Sequence, residues 1–226
     1  MMRGGIGEEK KYKEVIMGIP VLILGESGSG KSCSLRNFEP GEVGIFNVAS
    51  KPLPFRKKMR MVNDANYMYI IPVLQKNQSK CYVIDDAQYL MAFSLFDRAN
   101  EVGYKKFTDT AVDFYNLVQT VIKQTSDDTI VYFLQHIERD DAGRIKAKTA
   151  GKMLDNQLTL EGLFTIVLLC EAKGEEHYFL TQSDGTNTAK SPMGLFDSLK
   201  IDNDLFFVDQ KIRDYYGFNK NLQGET

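Results

Sequence analysis

The sequence predicts an α/β fold, a mostly parallel sheet flanked by helices and extended near its C-terminal end by a β-hairpin. Three observations carry this prediction. Short apolar runs rich in β-branched and aromatic residues recur along the 226-residue chain, as expected of strands covered on both faces. These runs alternate with segments of helical spacing, the pattern of strands joined through crossover helices. Finally, residues 25–32 read Gly-Glu-Ser-Gly-Ser-Gly-Lys-Ser directly after the apolar run Val21-Leu22-Ile23-Leu24. That is a complete G-x-x-x-x-G-K-S in a strand–loop–helix context.

Taken in order, residues 1–14 are expected to form a flexible N-terminus, 15–217 one folded domain and 218–226 a flexible tail. A strand over 15–24 feeds the glycine-rich loop, and residues 33–38 open a helix after it. Further strands are expected over 44–48, 67–73, 82–85, 130–135 and 164–169. The clearest helix covers 107–124, where Ala111, Phe114, Tyr115, Val118, Val121 and Ile122 share one face and Thr108 or Asp109 is placed to cap the start. Residues 171–186 read as a hairpin with its turn at 173–176. A last helix is expected from Asp202 or Asn203 to Tyr216, with Gly217 as its C-terminal cap.

Composition narrows the function classes. A net charge of −2 gives no global basic field, so any nucleic-acid contact must come from a local patch. The three cysteines, Cys33, Cys81 and Cys170, lie far apart and form no Cys/His cluster, which argues against structural zinc and fits a reducing, cytoplasmic compartment. No signal peptide is visible, and the longest apolar runs are too short to span a bilayer, so no membrane partner is expected.

The chemistry concentrates around the loop. Gly25, Gly28 and Gly30 let successive N–H groups converge on phosphate oxygens. Lys31 supplies charge for the β- and γ-phosphates, and the Ser32 hydroxyl suits Mg²⁺. With Glu26, Ser27, Ser29 and Cys33 these residues make the expected nucleotide cradle. A loop alone only binds; turnover needs a metal ligand and positioned water. The stretch Cys81-Tyr82-Val83-Ile84-Asp85-Asp86 is an apolar strand ending in acid, a Walker B pattern, with Asp85 expected at Mg²⁺ and Asp86 beside it or at the attacking water. Two strands fit between Lys31 and Asp85, as in ATPases that insert strands between these two elements. Gln135, with His136 next to it, ends a later strand where a polar group can sense the γ-phosphate. Residues 139–152 form a small, polar, mobile segment carrying Arg139, Arg144, Lys146, Lys148 and Lys152, suited to a phosphodiester backbone or simply to solvent. Lys190, before a Ser-Pro turn, gains a role only if it reaches a neighbouring subunit's nucleotide.

On these residues the chain resembles the RecA-type ATPase core, and more closely the compact RecA-like/AAA P-loop ATPases of bacteriophages, including core-only, Sak-type annealing and recombination ATPases. The segments 50–55 (Ser-Lys-Pro-Leu-Pro-Phe) and 146–152 (Lys-Ala-Lys-Thr-Ala-Gly-Lys) carry the closer likeness. The resemblance implies a RecA-like P-loop fold, ATP and Mg²⁺ as cofactors, single-stranded DNA as partner, and a homo-oligomeric ring or filament, with a single-strand DNA-binding protein as a further possible partner. It implies Gln135 as γ-phosphate sensor, the 139–152 segment as DNA contact and Lys190 as a trans-acting lysine. One departure is visible. The family's recombinases place a glutamate after the second strand, where this chain has Asn47-Val48-Ala49-Ser50. Asp86 takes that role or hydrolysis is slow. The alternatives are a P-loop motor acting on a protein and a small-molecule kinase.

Overall fold

The computed structural model describes residues 17–150 and 159–218. The expectations for residues 1–16, for Lys152 and for the tail beyond 218 lie outside that range. At the centre stands β1 (Ile19–Gly25). Val21, Leu22, Ile23 and Leu24 are each 0% exposed, because both faces of the strand are covered.

Seven more strands extend the sheet on either side: β2 (Gly44–Asn47), β3 (Met61–Asn63), β4 (Cys81–Asp85), β5 (Ile130–Arg139), β7 (Ile166–Lys173), β8 (Glu176–Leu180) and β9 (Lys200–Asp202). The order is β3-β2-β4-β5-β1-β7-β8-β9, and β6 (Ile145–Ala147) pairs with β5 off this path. From β3 to β7 every pairing is parallel; β7-β8, β8-β9 and β5-β6 are antiparallel. The α/β class and the mostly parallel sheet are therefore as the sequence predicts.

Alternating side chains divide the core in two. Leu22, Leu24, Phe133 and Val167 pack against α1 (Tyr67–Gln75), α2 (Gln88–Asp97) and α3 (Lys105–Gln124). Val21, Ile23, Tyr132 and Leu168 pack against Leu35 and Phe38 and against α4 (Leu205–Tyr216).

Several elements differ from expectation, each for a local reason. Residues 67–73 are helical. Asn66 caps α1 by accepting from the Tyr69 N–H at 3.2 Å, and Ile70 and Leu74, four apart, bury one face. The strand in that region is β3, so two strands still separate Lys31 from Asp85. The helix after the glycine loop is a 3₁₀ segment of six residues, Ser32–Asn37. Pro40 restricts the residue before it to extended backbone and stops continuation. The helix α2 was not foreseen. In α3, Tyr104 precedes the first turn without a side-chain cap; Asp109 instead pairs with Arg98 (2.8 Å) and Lys105 (2.6 Å). Tyr115 is exposed there, while Leu117 is buried.

The C-terminal hairpin forms as expected. Lys173 pairs with Glu176, and Gly174 takes the positive φ of +63° that a two-residue hairpin turn needs. Asp204 caps α4 by accepting from the Phe206 and Phe207 N–H groups, and Gly217 ends it at φ +76°. Among the described residues no helix is long and apolar enough to cross a membrane.

Candidate functional site

The loop leaving β1 closes on itself. Gly28 and Gly30 take φ of +80° and +104°, which strain any other residue. Gly25 is required by contact: a Cβ there would lie 2.8 Å from the Cys170 carbonyl oxygen. Buried Lys31 donates from Nζ to the Gly25 and Glu26 carbonyls, both at 2.8 Å. Burial lowers its pKa, with Asp86 and Asp85 among the charges opposing the shift.

From behind, the C-terminal strands grip the loop. Cys170 at β7 donates from Sγ to the Ser29 carbonyl (3.2 Å), and His177 on β8 places Nδ1 2.8 Å from the same oxygen. A carbonyl only accepts, so that nitrogen carries the proton. Asn203 donates from Nδ2 to the Gly30 carbonyl at 3.3 Å. No motif points to these three, whose contacts span 141 or more positions.

Opposite Lys31 stands the end of β4. Ser32 Oγ donates to Asp85 Oδ1 at 2.7 Å. Strand parity explains the meeting. Cys81 and Val83 face the same core as Leu35 of the 3₁₀ segment, so Asp85 faces it too. Burial pushes the Asp85 carboxyl above its ordinary value, against the Ser32 hydrogen bond. Asp86, next in the chain, adopts φ +60°, a left-handed conformation that Asp tolerates. It accepts from Lys51 Nζ at 2.6 Å and faces His136 Nε2 at 3.3 Å. Burial raises its pKa, but the hydrogen bonds from His136 and Lys51 outweigh this and leave it below the ordinary value.

A cavity of about 370 Å³ joins these groups. Ser27, Gly28, Gly30, Lys31, Ser32 and Cys33 line one side, Lys51, Asp85, Asp86 and His136 another, with His177 at the rim. Glu26 and Ser29 instead line a neighbouring cavity of about 450 Å³ under the β5-β6 hairpin.

The same parity separates Gln135 from its neighbour. Gln135 lies on the face of Phe133 and is fully buried. Its Nε2 donates to the Lys148 carbonyl at 2.7 Å, so it braces the β5-β6 hairpin, while His136 reaches the cavity. The expected mobile basic segment is ordered through 147: β5 runs to Arg139, and β6 pairs Ile145 with Arg139. Within it Lys146 pairs with Glu138 (3.0 Å), Arg139 lies 4.0 Å from Glu26, and Arg144 Nε donates to the Asn187 carbonyl at 3.4 Å. Lys190 exchanges two backbone hydrogen bonds with Val167, both 2.8 Å, and does not line the Lys31 cavity.

The donors suit a hard cation that keeps other ligands. A hydroxyl and a carboxylate oxygen 2.7 Å apart can share one Mg²⁺, which takes few protein oxygens and relies on phosphate and water for the rest. Among the described residues no cluster of three His, Cys, Asp or Glu side chains forms an all-protein metal cage.

Fold and site together define an α/β protein with a glycine-rich loop, closed by a buried lysine and facing an acidic strand end. A scan against protein-family models finds no match. A search of curated proteins finds no significant relative.

Proposed function

We propose that this chain binds and hydrolyses ATP with Mg²⁺ as a RecA-like P-loop ATPase. The observation that carries the reading is the 2.7 Å contact between Ser32 and Asp85, made beside the loop that Lys31 closes. A serine hydroxyl and a strand-end aspartate brought together across the sheet are what a shared nucleotide–metal site requires. The insertion of β5 between β1 and β4 supports the RecA-like form, since it sets a polar strand end between the phosphate loop and the Asp85 strand.

In this reading Gly25–Cys33 wraps the phosphates, and Ser32 with Asp85 holds the cation. Bound Mg²⁺ would neutralise charge on the β- and γ-oxygens. Asp86 and His136 face the space beyond Lys31 and orient water there. Phosphate release assayed with Mg·ATP tests this: the wild type turns over, and Lys31→Ala loses nucleotide binding or turnover. A wild type that neither binds Mg·ATP nor releases phosphate refutes it.

For the partner we propose single-stranded DNA met by the β5-β6 hairpin, within a homo-oligomeric ATPase of phage recombination or replication. Arg139, Arg144 and Lys148 supply the cations. DNA-stimulated phosphate release supports this, and a flat rate at low salt counts against it. A protein partner is the second reading, favoured by Glu138, Asp140 and Asp141 interleaved in the hairpin, by the Glu138–Lys146 pair, and by the exposed Phe96, Val102 and Tyr104 beside α2 and α3. If it holds, replacing Arg144 and Lys148 with Ala leaves DNA binding unchanged.

A further inference from the structure

Lys51 has a fixed base and a largely exposed arm. Its carbonyl accepts from Asn47 Nδ2 at 2.7 Å. The preceding Ser50 sits at φ +54° and exchanges two hydrogen bonds with Asp64, at 2.6 and 2.8 Å. Pro52 follows and limits the backbone further. The side chain is different: it is 57% exposed, and among the described residues it pairs with Asp86 at 2.6 Å. The Tyr89 ring stands 5.2 Å from Nζ. A flexible four-carbon stem on a pinned backbone lets the ammonium swing without moving the main chain.

Its surroundings say where it would move. Lys51 lines the same cavity as Lys31, Ser32 and Asp85. With no nucleotide, two lysines balance two aspartates. A diphosphate held by the loop would put its charge beside Lys31. A terminal phosphate would add charge in the same cavity that Asp86 lines, where carboxylate and phosphate would repel each other. One ammonium is within the cavity and able to change sides.

We infer that Lys51 is a second phosphate-contacting lysine, which leaves Asp86 for the terminal phosphate and so distinguishes a nucleoside triphosphate from a diphosphate. The inference rests on the Mg·ATP reading of this cavity. The exchange has a second effect. Asp86 keeps His136 on Oδ1, while Oδ2, released by Lys51, can accept from a water facing the phosphate. The movement that senses the triphosphate also frees the carboxylate that orients water. Asn47 becomes a positioning residue: by holding the Lys51 carbonyl it sets where the arm starts.

Calorimetric titration of the full chain with Mg·ADP and with Mg·AMP-PNP separates the outcomes. Lys51→Met should weaken AMP-PNP by roughly tenfold or more, the scale of a lost charge-assisted hydrogen bond, and leave ADP within about twofold. Retained ADP binding also reports that this variant is folded. Lys51→Arg should recover most of the AMP-PNP affinity. Asp86→Asn removes the competing anion and should tighten AMP-PNP but not ADP. Equal weakening of both nucleotides by Lys51→Met, or weakening of neither, overturns the inference, as does an Asp86→Asn variant with unchanged or lower AMP-PNP affinity. A wild type that takes up neither nucleotide is a separate result: it removes the ATP reading itself.

Discussion

Asp85 and Asp86 are adjacent carboxylates that the structure pushes in opposite directions. Asp85 is raised by burial, and the Ser32 hydroxyl, Lys31 and Lys51 do not offset it; Asp86 is lowered because His136 and Lys51 outweigh its burial. The consequences for stability have opposite sign. For Asp85 the native state holds its proton to higher pH than the unfolded chain. Its contribution is therefore complete below about pH 4, the unfolded value, and lost as pH rises through the folded one. Asp85→Asn should melt higher than the wild type at neutral pH, with the gap closing in acid. For Asp86 the contribution is complete above the unfolded value and lost as pH falls through the folded one. Asp86→Asn should melt lower at neutral pH. Thermal melts of the nucleotide-free variants from about pH 2.5 to 7.5 test both signs; an Asp85→Asn curve parallel to the wild type, or an Asp86→Asn variant that does not melt lower at neutral pH, would refute the assignment. The acid pair itself was legible in the sequence, as was the Ser32–Asp85 partnership, because each partner sits in a recognisable motif even though 53 positions separate them. The opposite environments were not, since neither Lys51 nor His136 belongs to a motif that points to Asp86.

Among the elements, those set by alternation or helical period were readable: β1, β2, β4, α3 and the β7-β8 hairpin. The largest misreading has an identifiable cause. The run Tyr67-Met68-Tyr69-Ile70-Ile71-Pro72-Val73 is apolar and aromatic enough to suit a strand. Its outcome depends on the Asn66 cap and on packing against α3, which a short run does not encode. The point where β5 leaves β1 shows a finer limit. Gln135 and His136 are adjacent polar residues there, and only knowledge of which core each neighbour faces tells which of them meets the cavity. The structure gives Gln135 a testable consequence. Its bond to the Lys148 carbonyl (2.7 Å) lies beside the Lys148 N–H bond to the His136 carbonyl (2.9 Å). Gln135→Ala should therefore speed amide exchange at Lys148 and along β6, by about fivefold for a loss near 1 kcal/mol. Unchanged exchange would mean that the hairpin stands without this brace.

At the scale of the whole molecule, the glycine loop is held between two halves of the sheet. On one side β1, β5 and β4 bring Ser32 to Asp85. On the other, β7, β8 and the turn into α4 hold the loop carbonyls through Cys170, His177 and Asn203. Asn203 is the joint of that second half. Its Nδ2 also donates to Cys170 Sγ at 3.2 Å, and its side-chain oxygen accepts from Arg36 at 3.2 Å, so one amide ties the loop, the 3₁₀ segment and the sheet edge together. Asn203 is buried, and such a network is worth more intact than as separate bonds. A ligand that orders the loop should then order the strands gripping it. Hydrogen exchange with Mg·AMP-PNP is expected to protect residues 25–33 and, in addition, β8 and the β9–α4 turn, although neither β9 nor that turn lines the Lys31 cavity. Asn203→Ala should break the link. Nucleotide affinity falls by about fivefold to tenfold, the scale of one or two hydrogen bonds, and the distant protection is lost while that of the loop persists. Protection confined to residues 25–33 in the wild type would show that the C-terminal strands support the loop without responding to what it binds.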